Sequence, residues 1–161
     1  MTPPQDRNQR WRERRASFRC PDEVLRTHEH EVAPIARDVA RRFVTEHHYS
    51  GTFPAARWCF GLHRGAELVG AAVFSVPARD EVLTRVFPGA ASDSTELGRF
   101  VLLDEVAGNG ETWFLARCLD ELRRAGVRGV VSFSDPLPRQ ALDGTVTMPG
   151  HVGTIYQASS A

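Results

Sequence analysis

Glu96-Leu-Gly-Arg99-Phe-Val-Leu-Leu-Asp-Glu-Val-Ala-Gly108-Asn-Gly110-Glu-Thr-Trp-Phe-Leu-Ala-Arg-Cys118-Leu-Asp-Glu-Leu122 is the stretch that decides the fold of this chain. Residues 100–103 form an apolar run rich in strand formers. A glycine-rich turn follows, and then a helix whose Leu115, Cys118, Leu119 and Leu122 fall on one face. A strand, a Gly-x-Gly turn at Gly108 and Gly110, and a helix start together make a cradle for an anion. Glycine allows close backbone approach, and the N–H groups of the first helical turn point at negative charge. The unit therefore points to a phosphorylated cofactor. The competing reading is an ordinary Asn109-Gly110 turn with no ligand.

Working outward, Gly126 is placed to cap the helix, and residues 127–133 read as a buried strand running into Ser134-Asp135-Pro136. A strand on each side of one helix implies a parallel pair. Upstream lies a hairpin. Trp58, Phe60 and Leu62 alternate in its first strand, residues 63–67 turn, and residues 68–76 return as an apolar strand stopped by Pro77. Residues 23–32 read as a first strand. Pro34 then opens a helix with Ile35, Val39, Phe43 and Val44 on its apolar face, ending near His47. Residues 48–54, 78–94 and 138–150 read as loops, and residues 154–158 as the start of a helix. The order predicts an α/β (α+β) fold, a mixed central sheet with helices on its faces. A flexible basic arm occupies residues 1–20 and a single domain residues 21–161.

Composition narrows the class. A length of 161 residues with 42% hydrophobic and 25% charged residues fits one globular domain. Arg, Asp, Glu or Gly interrupts every apolar run before membrane-spanning length, and the start of the chain lacks the apolar core of a signal peptide. A cytoplasmic protein with no membrane association is expected. Cys20, Cys59 and Cys118 are too far apart for a zinc motif or disulfide framework, and the last two sit among core residues. All 20 basic residues are arginine, and net charge is zero. Yet Arg7-Asn-Gln-Arg-Trp11-Arg-Glu-Arg-Arg-Ala-Ser-Phe18-Arg19 concentrates positive charge around two aromatics. Such an arm can neutralise phosphates and stack on bases; the alternative is a solvated, frayed terminus.

The element order, with its Gly-x-Gly turn after the central strand, resembles the GNAT N-acyltransferase superfamily. The pyrophosphate loop there reads Arg/Gln-x-x-Gly-x-Gly/Ala. Here it is Glu105-Val-Ala-Gly108-Asn-Gly110, which matches at the small positions and departs at Glu105. Further motifs resemble the Mom-type phage DNA-modification proteins: His47-His48-Tyr49-Ser-Gly, Phe60-Gly-Leu, Glu67-Leu-Val-Gly, Glu96-Leu-Gly-Arg99, Ser132-Phe-Ser-Asp135-Pro136 and Gly150-His-Val-Gly-Thr-Ile-Tyr156-Gln-Ala. The set covers roughly residues 35–158. This resemblance implies an enzyme that takes acetyl-CoA or another acyl-CoA and modifies the N6 amine of adenine in double-stranded DNA. The group is of carbamoylmethyl type, and the product protects phage DNA from restriction. It also implies two final strands that this chain, stopping at Ala161, lacks. The chain is then a shortened member, a fragment, or a form completed by a homodimer or a partner chain. The alternatives are a GNAT acetyltransferase for a small-molecule or protein amine, and a shortened, non-catalytic DNA-binding protein.

Tyr49 and Tyr156 are the only tyrosines; a phenol can act as a general acid or orient an amine, or pack on the sheet. His48 ends a helix beside Tyr49, where it can also cap carbonyls. Asp135 follows a strand, the end at which α/β sheets bind ligands, though Asp-Pro also simply turns. His48, Tyr49, Asp135 and Tyr156 are the catalytic candidates. If the first three converge, they offer N and O ligands to a substrate or to iron, a metal that the resemblance implies. Arg99 interrupts an apolar strand and needs a partner, Glu96 or a phosphate. Cofactor contacts are expected from Arg99, Leu102, Gly108, Asn109, Gly110 and Ser132, with the Leu102 backbone N–H on the thioester carbonyl. His151 either touches substrate or closes a loop.

Overall fold

The computed structural model describes residues 24–48, 50–134, 137 and 140–145 in full, and the backbone alone at 8–12, 15–19, 139 and 146–148. The elements run β1 (Asn8–Arg12), β2 (Arg15–Arg19), β3 (His30–Pro34), α1 (Arg37–His47), β4 (Ala56–Arg64), β5 (Glu67–Ser75), α2 (Glu81–Val86), β6 (Ser94–Leu102), α3 (Gly110–Arg124), β7 (Gly129–Val131), β8 (Arg139–Gln140) and β9 (Val146–Met148). A five-stranded sheet has the order β3-β4-β5-β6-β7; β1 with β2 and β8 with β9 make separate two-stranded ribbons. The central pairs are antiparallel until β6 and β7, which are parallel. This is the mixed α/β sheet that the sequence predicts, with the parallel pair flanking α3.

The hairpin forms where its alternation places it. Gly65, at φ 58, supplies the left-handed residue that a two-residue loop requires. The first strand begins later than its sequence suggests. Thr27–Glu29 form a 3-10 turn, and β3 starts at His30 and runs through Pro34. The polar run Thr27-His-Glu-His has no apolar alternation to bury, whereas Val32 pairs with Leu62. Pro34 ends an edge strand, where its missing N–H is tolerated, and does not open the helix. Residues 78–94 are not a loop throughout. They hold α2, a six-residue helix with Leu83 as its one buried side chain, too short for a periodic signal. Residues 138–150 likewise include the β8–β9 pair.

The sheet buries both faces. On one, Phe114, Leu115, Cys118 and Leu122 of α3 pack on Phe60, Leu62 and Phe74. On the other, Ala40, Phe43 and Val44 of α1 pack on Cys59, Val73 and Val101. Cys59 and Cys118 are buried free thiols, as their neighbours in sequence imply. Central strand β5 is buried from Val69 to Ser75, which accounts for its nearly unbroken apolar sequence.

Two glycines set the local backbone geometry. In β6, Arg99 sits opposite Val73 and Leu97 opposite Phe74, so Gly98 is the extra residue of a bulge. A Cβ there would collide with Ser75 Oγ. At the end of α3, Gly126 (φ 88) donates to the Arg123 carbonyl at 3.1 Å and Val127 to the Leu122 carbonyl at 2.9 Å. That is the double bond of a Schellman cap.

Candidate functional site

Strand β6 spans nine residues, but β7 pairs only with its first three: Ser94, Thr95 and Glu96 face Gly129, Val130 and Val131. Beyond those three positions the two parallel strands carry no ladder pairing, and this gap toward their C-terminal ends is the crevice. One wall is the 97–102 segment of β6, and the other begins at Ser132. Leu103 N–H donates to the Val69 carbonyl of β5 at 2.8 Å. Antiparallel alternation then turns the N–H and C=O of Leu102 away from β5, toward the crevice. Strand edges left without a ladder partner are the kind that pair with extended ligands.

Residues 103–109 lead from this wall to α3. Gly108 and Gly110 are buried at the helix start. Asn109 Oδ1 accepts the Leu25 N–H at 2.5 Å, so this side chain ties the segment before β3 to the turn. Gly110 N–H donates to the Ala107 carbonyl at 2.9 Å, and the helical ladder opens with Trp113 N–H on the Asn109 carbonyl at 3.3 Å. Glu111 lies buried in that first turn, where the helix dipole favours a carboxylate. Glu105, the departure from the resembling loop pattern, accepts a bond from Arg64 Nη2 at 3.3 Å, and the same guanidinium atom reaches Glu67 at 2.9 Å. Its charge is thus partnered at the hairpin end.

A second group lies on the α1 face of the sheet. The Gly98 bulge shifts the alternation of β6, so Glu96, opposite Ser75, and Arg99, opposite Val73, share one face. Arg99 does not take Glu96 as its hydrogen-bond partner. It donates from Nε to the Thr52 carbonyl (3.1 Å), from Nη2 to Thr52 Oγ1 (2.6 Å) and from Nη1 to the Gly98 carbonyl (2.5 Å). Glu96 is partly buried. Desolvation pushes its carboxyl above the ordinary carboxylate range, and the Arg99 charge opposes that rise.

The Thr52 contact extends to His48. Thr52 Oγ1 donates to Ser50 Oγ at 3.2 Å, and Ser50 Oγ lies 2.9 Å from His48 Nδ1. Ser50 N–H also donates to Nδ1 at 3.2 Å. A backbone N–H can only donate, so Nδ1 is the acceptor and the neutral ring carries its proton on Nε2. A directed chain results, from guanidinium through two hydroxyls to imidazole. Arg41 sits 5.1 Å over the Phe53 ring and Arg37 donates to the Ala56 carbonyl at 2.8 Å, which holds the loop against α1.

Of the catalytic candidates, His48 is described and joins the Arg99 cluster; Tyr49, Asp135 and Tyr156 lie outside the described residues, as does His151. Ser132 is partly buried at the mouth of the crevice. For iron, His48 with its proton on Nε2 presents a donor. Ligation through Nε2 requires that proton to move to Nδ1, the Ser50 hydroxyl to reverse and the Ser50 N–H, which can only donate, to give up its bond to Nδ1. Among the described residues no three His, Cys, Asp or Glu side chains form a metal-holding group. Ser50 and Thr52 are the residues to which sequence reasoning gave no role; their signal was the Ser-Gly-Thr run that closes the His48 motif. A shallow groove between β3 and α3, lined by His30, Glu31, Trp113, Arg117 and Glu121, contains none of the expected site residues. No described helix is long and apolar enough to cross a membrane.

No curated protein matches the chain. The model of the Mom protein family matches residues 29–160, a span that includes β3 to β7, the crevice and the His48 loop. The chain belongs to the Mom family of phage DNA-modification proteins.

Proposed function

We propose that this chain is a GNAT-like enzyme that transfers a group from acetyl-CoA or another acyl-CoA to the N6 amine of adenine in DNA, and so protects phage DNA from restriction. The observation that carries this reading is the early separation of β6 from β7 beside the Gly108–Gly110 helix start. The pyrophosphate takes the backbone of that turn, with Ser132 toward the crevice, while Arg99 on the α1 face anchors the His48 chain through Thr52. The pantetheine arm lies along the open side of β6, and Leu102 N–H meets the thioester carbonyl. Transfer is direct: the adenine nitrogen attacks that carbonyl and loses a proton, and the thiol of CoA leaves with a proton. Adenine N6 is paired inside the duplex, so the base must leave the stack first. His48, held as a donor by the Arg99–Thr52–Ser50 chain, orients the flipped base with Tyr49, Asp135 and Tyr156. Such a step yields an N6-acyl product. A carbamoylmethyl group joins through its methylene carbon and needs another bond to form. Iron, where bound by His48, Tyr49 and Asp135, would supply Lewis-acid chemistry.

The test is mass spectrometry of nucleosides digested from plasmid DNA of cells that express the chain, beside a His48→Ala chain. An adenine adduct present with the wild type and lost in the variant supports the reading, and its mass names the group. Unmodified DNA from cells holding folded protein refutes it. Gly110→Val should abolish acyl-CoA binding measured by calorimetry while the melting transition persists; retained affinity removes the cradle from the mechanism.

A further inference from the structure

The β1–β2 ribbon precedes the segment that matches the family, which starts at residue 29. Its register pairs Asn8 with Arg19, Gln9 with Phe18, Arg10 with Ser17, Trp11 with Ala16 and Arg12 with Arg15. Residues directly opposite each other in an antiparallel pair share a face, and successive residues alternate. One face therefore takes positions 8, 10, 12, 15, 17 and 19, and the other takes 9, 11, 16 and 18. All four arginines of the two strands fall on the first face together with Asn8 and Ser17. Both aromatics, Trp11 and Phe18, fall on the second as diagonal neighbours. No acidic residue lies within either strand.

From this juxtaposition, and on the reading that the protein acts on DNA, we infer that the β1–β2 ribbon is a DNA-holding wing whose arginine face takes the phosphates of the duplex. The chemistry matches on three counts. Arginine forks pair with phosphate oxygens and stay charged at every physiological pH. Five residues of strand extend about 17 Å, and the major groove of a duplex, about 12 Å wide, admits a two-stranded ribbon. Asn8 and Ser17 add neutral donors of the kind that fix register on the backbone. A base that must be flipped needs its duplex held firmly on either side, and a phosphate-holding wing does this without reading sequence.

Binding of the full chain to a fluorescent duplex, measured against salt, tests the wing. Each phosphate contact contributes about 0.9 to the slope of log affinity on log salt. Replacing Arg10, Arg12, Arg15 and Arg19 together by Gln should lower the slope by roughly 3 to 4. Between about 50 and about 200 mM salt, wild-type affinity should then fall roughly 100-fold more than that of the variant. The same four changed to Lys should keep the slope, and Trp11→Ala with Phe18→Ala should also keep it. An unchanged slope in a Gln variant that melts like the wild type overturns the inference. So does a chain that binds polyglutamate through these arginines but not duplex. Nucleoside mass spectrometry on the same variants separates this from the proposed chemistry. A ribbon-dependent slope without an adenine adduct keeps the wing and refutes the chemistry; an adduct with an unchanged slope does the reverse.

Discussion

Ser75 carries its hydroxyl, 1% exposed and without a hydrogen-bond partner, into the space that a side chain at position 98 would need. A buried hydroxyl that bonds nothing has lost its hydration without return. Ser75→Ala should therefore leave stability unchanged or raise it by about 1 kcal/mol. Gly98→Ala should lower stability by about 1–3 kcal/mol, and by less in the Ser75→Ala background, where only the Ser75 Cβ at 3.2 Å and Pro54 at 3.1 Å remain close. Denaturant melts of the two single variants and the double close this cycle; equal losses in both backgrounds would show that Ser75 is not what excludes a side chain. Glu96 gives a pH signature on the same strand. Its folded carboxyl titrates above its unfolded value. As pH rises from the ordinary carboxylate range, the unfolded state ionises first and folded stability declines, until the raised value is passed. Glu96→Gln should thus gain on the wild type as pH rises through and above the ordinary carboxylate range, and a flat difference in melting temperature would mean a solvated carboxylate. Glu96 and Arg99 stood out in the sequence because charge interrupts an apolar strand. Thr52 did not, because the bulge that brings Arg99 toward it changes side-chain parity and leaves no mark on the hydrophobic pattern.

Elements with a strong period or a definite stop were legible. The hairpin, the apolar face of α3, the cap at Gly126 and the parallel partner strand follow directly from spacing and turn chemistry. Gly126→Ala should cost about 1 kcal/mol, because alanine disfavours the left-handed φ of the cap; an unchanged melting temperature would argue that the cap is dispensable. What escaped was held by tertiary contact. Six-residue α2 precedes Phe87, whose ring fills the space that a side chain on Gly129 would occupy, 2.6 Å from a Cβ placed there. A short helix that buries Leu83 alone carries too little pattern to be read without its neighbours. The early end of β7 was equally hidden. Residues 127–133 read as strand throughout, yet only Gly129–Val131 pair, and the pairing limit that makes the crevice is a property of two strands together.

At the scale of the whole molecule, one sheet serves two separate apolar layers. Phe114 is fully buried on the α3 face, and Phe114→Ala should remove about 3–5 kcal/mol. Since both layers share β5, the variant should still melt in one transition by circular dichroism and by tryptophan fluorescence; two resolved transitions would mean that α1 and α3 fold independently. Strands β3 to β6 form a meander in which every pairing joins neighbours in sequence, whereas β7 is reached only by the crossover through α3. The two ends of the sheet consequently differ in how readily they breathe. Amides of β5, buried between paired strands, should exchange with solvent hydrogen only on global unfolding. Those of three-residue β7 should exchange by local opening at far lower free energy. Such fraying widens the crevice from its outer side while the meander beneath it keeps its register.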